Sequence, residues 1–204
     1  MELTDWLLLA VLVLVLLGWA LWVQASRVDR LHRTVLRSRA TLETQLVRRA
    51  TAATELAASG ALDPAEAIVV TDVALRAIDA APAGLVRDGL EGAPGADPLG
   101  EGAAVALDDA PDRGLVESEL SRTLRTVLGG PEDRAALADD PRATEVLGHL
   151  QQSWYRLQVA RRFHNAHVQR VREVRARWAV RTFHLAGRAP LPEPFDMDDA
   201  LPDD

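Results

Sequence analysis

The stretch WLLLAVLVLVLLGWALWV, from Trp6 to Val23, decides how the rest of the chain is read. Its 18 residues carry no charge. At about 1.5 Å per residue a helix of that length spans about 27 Å, close to the hydrocarbon thickness of a bilayer. Eight leucines, with Leu12 near the middle, and four valines favour insertion by roughly 4 to 7 kcal/mol before end effects. The lone Gly18 does not offset that. Trp6 at one end and Trp19 with Trp22 at the other stand where indole rings prefer the two membrane interfaces. The reading is a transmembrane helix that closes at Val23.

The flanks give the segment a direction. Val23-Gln24-Ala25 ahead of Ser26 offers the small residues a signal peptidase reads, but a cleaved signal needs a basic start, and Met1 to Asp5 holds Glu2 and Asp5 with no base. On the other side, Gln24 to Ala50 carries Arg27, Arg30, Arg33, Arg37, Arg39, Arg48 and Arg49 against Asp29 and Glu43. The positive-inside rule then places the N-terminus outside and everything after Val23 in the cytoplasm, at the inner (plasma) membrane of a bacterium. Arg27, Arg30, Arg33, Arg37 and Arg39 lie near the anionic leaflet, where each base adds about 1 kcal/mol of attraction.

Composition narrows the rest. The chain has 204 residues and a net charge of −7, and all 23 of its bases are arginine. Without lysine there is no Walker P-loop and no Schiff-base enzyme. Without cysteine there is no disulfide framework, thiolate nucleophile or iron–sulfur cluster. Aromatic residues make up only 4% beside abundant Ala, Leu and Val, which favours helices over strands.

Past the membrane, Val28, Leu31, Val35, Leu42, Leu46, Ala53 and Leu56 recur at helical spacing until Ser59-Gly60, predicting an amphipathic helix of about 34 residues. A second helix opens with Asp63 as N-cap, Pro64 at the first position and Glu66 at the capping-box position, with Ile68, Leu75 and Ile78 as its apolar face. From about 82 to 114, eleven of 33 residues are Gly or Pro, which reads as a long mobile loop. A short helix with Leu115, Leu120, Leu124 and Leu128 ends at Gly129-Gly130-Pro131, and a turn of helix is expected over Glu132 to Leu137. The last helix starts at Asp140-Pro141 and is expected to run to about Gly187, with Leu147, Leu150, Trp154, Leu157, Val168, Val171, Val174 and Trp178 on its stripe. Residues 189–204, with four prolines and six acids counting from Pro190, read as an extended acidic tail.

The fold class expected is therefore all-α: a single N-terminal transmembrane helix followed by an elongated antiparallel helical bundle. Three parts follow: a short outer N-terminus with the anchor (1–25), the bundle (26–188) and the tail. Charge alternates along them, at −2 before residue 24, +5 to residue 50, −12 to residue 149, +8 to residue 188 and −6 after. Pairing within the chain explains this more simply than an anionic partner.

Two stretches resemble the LemA family: Gln45-Leu46-Val47-Arg48-Arg49 in the first soluble helix, and Gln158-Val159-Ala160-Arg161-Arg162-Phe163-His164-Asn165-Ala166-His167-Val168 in the last. Leu185-Ala186-Gly187 and Pro190-Leu191-Pro192-Glu193-Pro194-Phe195 add to it. The family carries a tyrosine before the asparagine, where this chain has His164. The resemblance covers the anchor, the first helix and everything from about Glu117 onward, but not the loop at 82–114. It implies a single-pass membrane protein with a helical-bundle domain and no established enzymatic activity. Its motif residues Arg48, Arg49, Arg161, Arg162, Phe163, His164 and Asn165 become the places to expect a partner.

Arg161, His164, Asn165 and His167 interrupt the apolar stripe between Leu157 and Val168. As the sole asparagine, Asn165 suits a polar seam position that fixes register between helices at some loss of stability, so Asn165→Leu should raise thermal stability or alter oligomeric state. A ligand contact is the second reading of this layer. His164 and His167 could form half a zinc site, but Arg156, Arg161, Arg162 and Arg170 would repel a dication. A di-iron bundle needs two Glu-x-x-His pairs, and Glu145 to His149 is one residue too long. The acidic pairs Asp108-Asp109, Asp139-Asp140 and Asp198-Asp199 fall in the loop, at an N-cap and in the tail. Hydrolase, metalloprotease and dinucleotide motifs are missing. Arginines interleave with Tyr155, Phe163, Trp178 and Phe183 as on nucleic-acid surfaces, yet the acidic middle opposes a polyanion.

No cofactor, catalytic residue or metal is expected. The partners expected are the lipid bilayer, a protein that the sequence does not identify, and a further copy of the chain in a homo-oligomer; nucleic acid is not expected. The function expected is a noncatalytic scaffold or partner-binding module at the membrane surface. Its rival is a helical enzyme or metal protein built on the layer from Arg161 to His167.

Overall fold

The computed structural model describes residues 3–86, 88–90, 112–130, 137, 139–187 and 189–201. All regular structure among the described residues is helical. Helix α1 runs unbroken from Leu3 to Ala58, 56 residues or about 84 Å. The apolar segment and the first amphipathic helix are thus one rod, because nothing between Val23 and Val28 breaks the backbone. Its N-terminal part is long and apolar enough to cross a membrane, and none of that stretch is buried within the protein. From Val28 onward the same helix buries one face. The helix stops at Ala58, and Gly60 takes the left-handed backbone (φ 79°) that lets the chain reverse.

Helix α2 (Pro64–Asp79) begins as its sequence predicts, with the Asp63 carboxylate accepting from the Ala65 amide. Its buried face corrects the expectation. Val70, Val73, Ala74 and Ala77 are inside, whereas Ile68 is 71% exposed and Leu75 48%. The small residues let α2 close against Ala50, Ala53 and Ala57 of α1, an advantage that ranking by side-chain size misses. A single 3₁₀ turn follows at Ala81–Ala83.

Helix α3 (Arg113–Leu128) is capped by Asp112 and buries Leu120, Leu124 and Leu128, leaving Leu115 exposed. Helix α4 (Pro141–Ala176) is capped by Asp140, which accepts from the Arg142 amide. It ends about ten residues earlier than its periodicity suggests. The backbone turns at Arg177 (ψ 135°) and resumes as the short α5 (Trp178–Thr182). This turn folds Val180 onto Val28 and Val174, and it leaves Trp178 73% exposed instead of on the buried stripe.

Packing is sorted along the rod. Ala50 to Leu62 of α1 and its turn meet α2, α3 and the start of α4, including Leu150 and Trp154, in the largest core. Farther back, Leu42 and Leu46 meet Leu157, Val35 meets Val168 and Val171, and Val28 meets Val174. Contacts therefore descend α1 as they ascend α4. The loop expected over 82–114 is described only at its edges. There it is not free, since Leu85 and Leu90 are buried against the long helices; residues 91–111 lie outside the described residues, as do 131–136 of the turn expected before α4.

Candidate functional site

The polar layer on α4 is already occupied, and its occupant is the C-terminal segment of the same chain. Asn165 uses both ends of its amide on one residue: Nδ2 donates to the Phe195 carbonyl and Oδ1 accepts from the Phe195 amide, each at 2.9 Å. That exchange imitates a pair of strand hydrogen bonds. Asn165 accordingly binds the C-terminal segment and is not a helix-to-helix seam residue, as its position in the stripe suggested. Phe195, 1% exposed, fills a pocket made by Leu42, Leu46, Leu85, Leu157 and Met197.

One turn earlier on α4, Arg161 grips Asp199 with two parallel bonds of 2.8 Å, from Nε and Nη2. The Asp199 carbonyl accepts from Gln158 Nε2 at 2.7 Å and from the Trp154 indole at 3.1 Å. Arg125 of α3 makes a second bidentate pair with Asp198, and Ser118 Oγ accepts the Asp198 amide at 2.9 Å. Together with desolvation in the opposite sense, the Arg125 hydrogen bond holds the Asp198 carboxyl below the usual range. At the far end, Arg175 donates to the carbonyls of Ala189 and Pro190, and Arg172 to that of Pro192. Residues 189–201 have no regular secondary structure, but are strapped down along their length. The acidic tail and the basic helix meet each other.

His164 closes the layer on the α1 side. Ser38 Oγ donates to the Val35 carbonyl at 2.8 Å, so its 3.0 Å contact with His164 Nδ1 requires the imidazole to donate. That assignment of the hydroxyl puts a ring proton on Nδ1. Burial pushes its pKa down to about 4, helped by the charges of Arg39 and His167 and opposed by Asp88. Arg39 is the reason one membrane-surface residue must be reassigned. It is buried, donating to Asp88 at 2.8 Å and to the Val86 carbonyl at 2.7 Å, and so holds the edge of the 82–90 segment. Arg27, Arg30, Arg33 and Arg37 are exposed as expected, Arg33 pairing with Asp29 at 2.7 Å.

The residues on which the resemblance rests divide in the same way. Arg49 is fully buried. It donates to Glu117 at 2.7 Å and to Ser121 at 2.7 Å, and its guanidinium lies 5.5 Å from the centre of the Trp154 ring. Glu117, itself buried, also accepts from Arg113 Nε at 2.8 Å. Desolvation lowers the Arg49 pKa against the pull of Glu117. No external partner reaches Arg49. Arg48, Arg162 and Phe163 are exposed. Phe163 and Tyr155 border a shallow apolar groove of about 380 Å³ between α1 and α4, with Gln45, whose Oε1 has no partner, on its floor.

Sequence reasoning found Arg161, His164 and Asn165 but missed what they bind, because Ser38, Asp199 and Phe195 are distant in the chain. Arg49 did leave a signal. Val28, Val35, Leu42, Arg49 and Leu56 are spaced by seven, so the arginine stands on a buried heptad position. Among the described residues, no three His, Asp or Glu side chains gather to hold a metal ion. No family model, curated protein or solved structure matches this chain.

Proposed function

We propose that this protein is a single-pass, membrane-anchored scaffold of the LemA type. The span is Trp6 to Val23, the N-terminus lies outside, and an elongated antiparallel bundle stands on the cytoplasmic face of a bacterial inner membrane. The observation that carries the reading is the continuity of α1, whose bare apolar third passes without a break into a helix buried in the core. An anchor joined in that way holds its domain rigidly at the bilayer.

The noncatalytic part of the proposal is supported by how the polar layer is used. Arg161, His164 and Asn165 are each hydrogen-bonded within the chain, to Asp199, Ser38 and Phe195. A protein partner, or a second copy of the chain, is left the surface bearing Arg48, Arg162, Phe163 and Tyr155. The chain's lack of cysteine makes the decisive experiment simple. Glu2→Cys and Gln151→Cys, tested separately with a membrane-impermeant maleimide on intact cells, should label only at position 2. Labelling at 151 alone reverses the orientation, and recovery of the chain in the soluble fraction removes the anchor.

A further inference from the structure

Helix α5 and its C-cap residue carry two aromatic side chains left to the outside. Trp178 is 73% exposed and Phe183 44%, and their ring centroids lie 6.4 Å apart, so they form a single tilted pair. The turn holding them is firmly seated. Val180, 3% exposed, packs against Val28 and Val174, with Leu31, Leu185 and Ala186 around them. The aromatic pair is therefore an outward face of a fixed element.

Its position along α1 gives the face a meaning. Val28 follows Val23 by five residues, about 7.5 Å of helix. The headgroup layer on each side of a bilayer is about 5 to 7 Å deep. Charge at this end is lopsided: Arg27, Arg30, Arg177 and Arg181 are exposed, while the exposed acids Asp29 and Glu173 are paired with Arg33 and Arg170. An indole, a phenyl ring and surplus arginines seated at the outer edge of the headgroup layer are what an anionic interface retains.

We propose that α5 is a second membrane contact: Trp178 and Phe183 enter the headgroup layer of the leaflet from which α1 emerges, with Arg27, Arg30, Arg177 and Arg181 against anionic headgroups. This rests on α1 being the membrane span. A lone span turns freely about its own axis. A second contact off that axis fixes which face of the bundle is turned toward the membrane and which toward the cytoplasm.

The test uses the full chain, labelled with 5-fluorotryptophan and held in nanodiscs of phosphatidylethanolamine and phosphatidylglycerol. The five tryptophans give separate fluorine resonances, each assigned by a Trp→Phe variant. With gadolinium-chelating headgroups in the disc, Trp178 should lose most of its signal along with Trp22, while the buried Trp154 keeps its own. Replacing phosphatidylglycerol by phosphatidylcholine, or introducing Arg177→Gln with Arg181→Gln, should restore the Trp178 signal at least twofold and leave Trp22 broadened. A sharp Trp178 beside a broadened Trp22 overturns the second contact alone. If Trp6, Trp19 and Trp22 all stay sharp, the span itself is refuted and the second contact with it.

Discussion

Asn165 and His164 stand next to each other on α4 and hold different things. Reading Asn165 as a seam residue between helices leads to Asn165→Leu as a stabilising change; the structure reverses the sign. Leucine would leave the Phe195 amide and carbonyl without partners, and a buried orphan of that kind costs about 1 to 3 kcal/mol. Thermal unfolding of Asn165→Leu in detergent should show a lower midpoint, with residues 189–201 newly open to limited proteolysis. His164 makes its contribution through pH. Its pKa is about 4 when folded against 6.5 as the ordinary value, so between these limits the unfolded chain binds more protons than the folded one. Stability from the neutral ring is complete above pH 6.5 and is lost as pH falls toward 4, about 3 kcal/mol over the window. Denaturant titrations from pH 7 to 4 should follow that slope, and His164→Gln, which can still donate to Ser38, should flatten it. Residues of this kind are legible in a sequence only by half. An interrupted stripe announces that α4 buries polar groups, but their partners lie some 30 to 126 positions away, and no local pattern carries that information.

At the scale of elements, local chemistry decided where α2 and α4 start, and tertiary packing decided where α4 ends. Asp63-Pro64 and Asp140-Pro141 are self-contained signals, since a capping carboxylate and a proline at the first turn act within a few residues. The break at Arg177 has no such marker, because it is made by Val180 reaching Val28 across the molecule. The tail was the least legible element. Its prolines and acids describe a chain unable to form a core of its own, yet with Phe195, Met197 and two arginine-gripped aspartates it completes the core of another element. Gly114 shows how close that docking is: a Cβ there would collide with the Asp196 carbonyl, so only glycine admits the C-terminal segment at the first turn of α3. Phe195→Ala should therefore behave as a core truncation and not as a tail mutation. Emptying its pocket costs about 3 to 5 kcal/mol, and the denaturation midpoint of the whole domain should fall with it. A midpoint unchanged from wild type would mean that the tail lies on the bundle without belonging to it.

For the whole molecule, the decisive property is that the apolar segment, long enough to span a membrane, and the first packed helix are one helix. Sequence alone separates them at Val23, since apolar composition stops there and amphipathic spacing begins; it contains no statement about whether the backbone bends between. Gln24, Ala25, Ser26 and Arg27 are all compatible with helix, and α1 passes through them without interruption. From Val23 to Ala58 the rod then projects about 52 Å, or about 49 Å if the span takes an average tilt near 20°. Neutron reflectometry on a supported bilayer should accordingly find protein reaching about 50 Å beyond the hydrocarbon core, a layer of about 42 to 47 Å above the headgroups. A hinge at the boundary would give a different profile, because a domain free to lie down presents its width, two or three helix diameters of about 10 Å each. Replacing Gln24-Ala25 by Pro-Gly creates that hinge deliberately. The layer should thin by at least a third while circular dichroism of the domain hardly changes, since the lost helical bonds lie outside the packed region that begins at Val28. A thin layer for the unaltered chain would show that continuity of the backbone does not translate into height above the membrane, and the rigid-stalk account of how this domain is presented to a partner would fall with it.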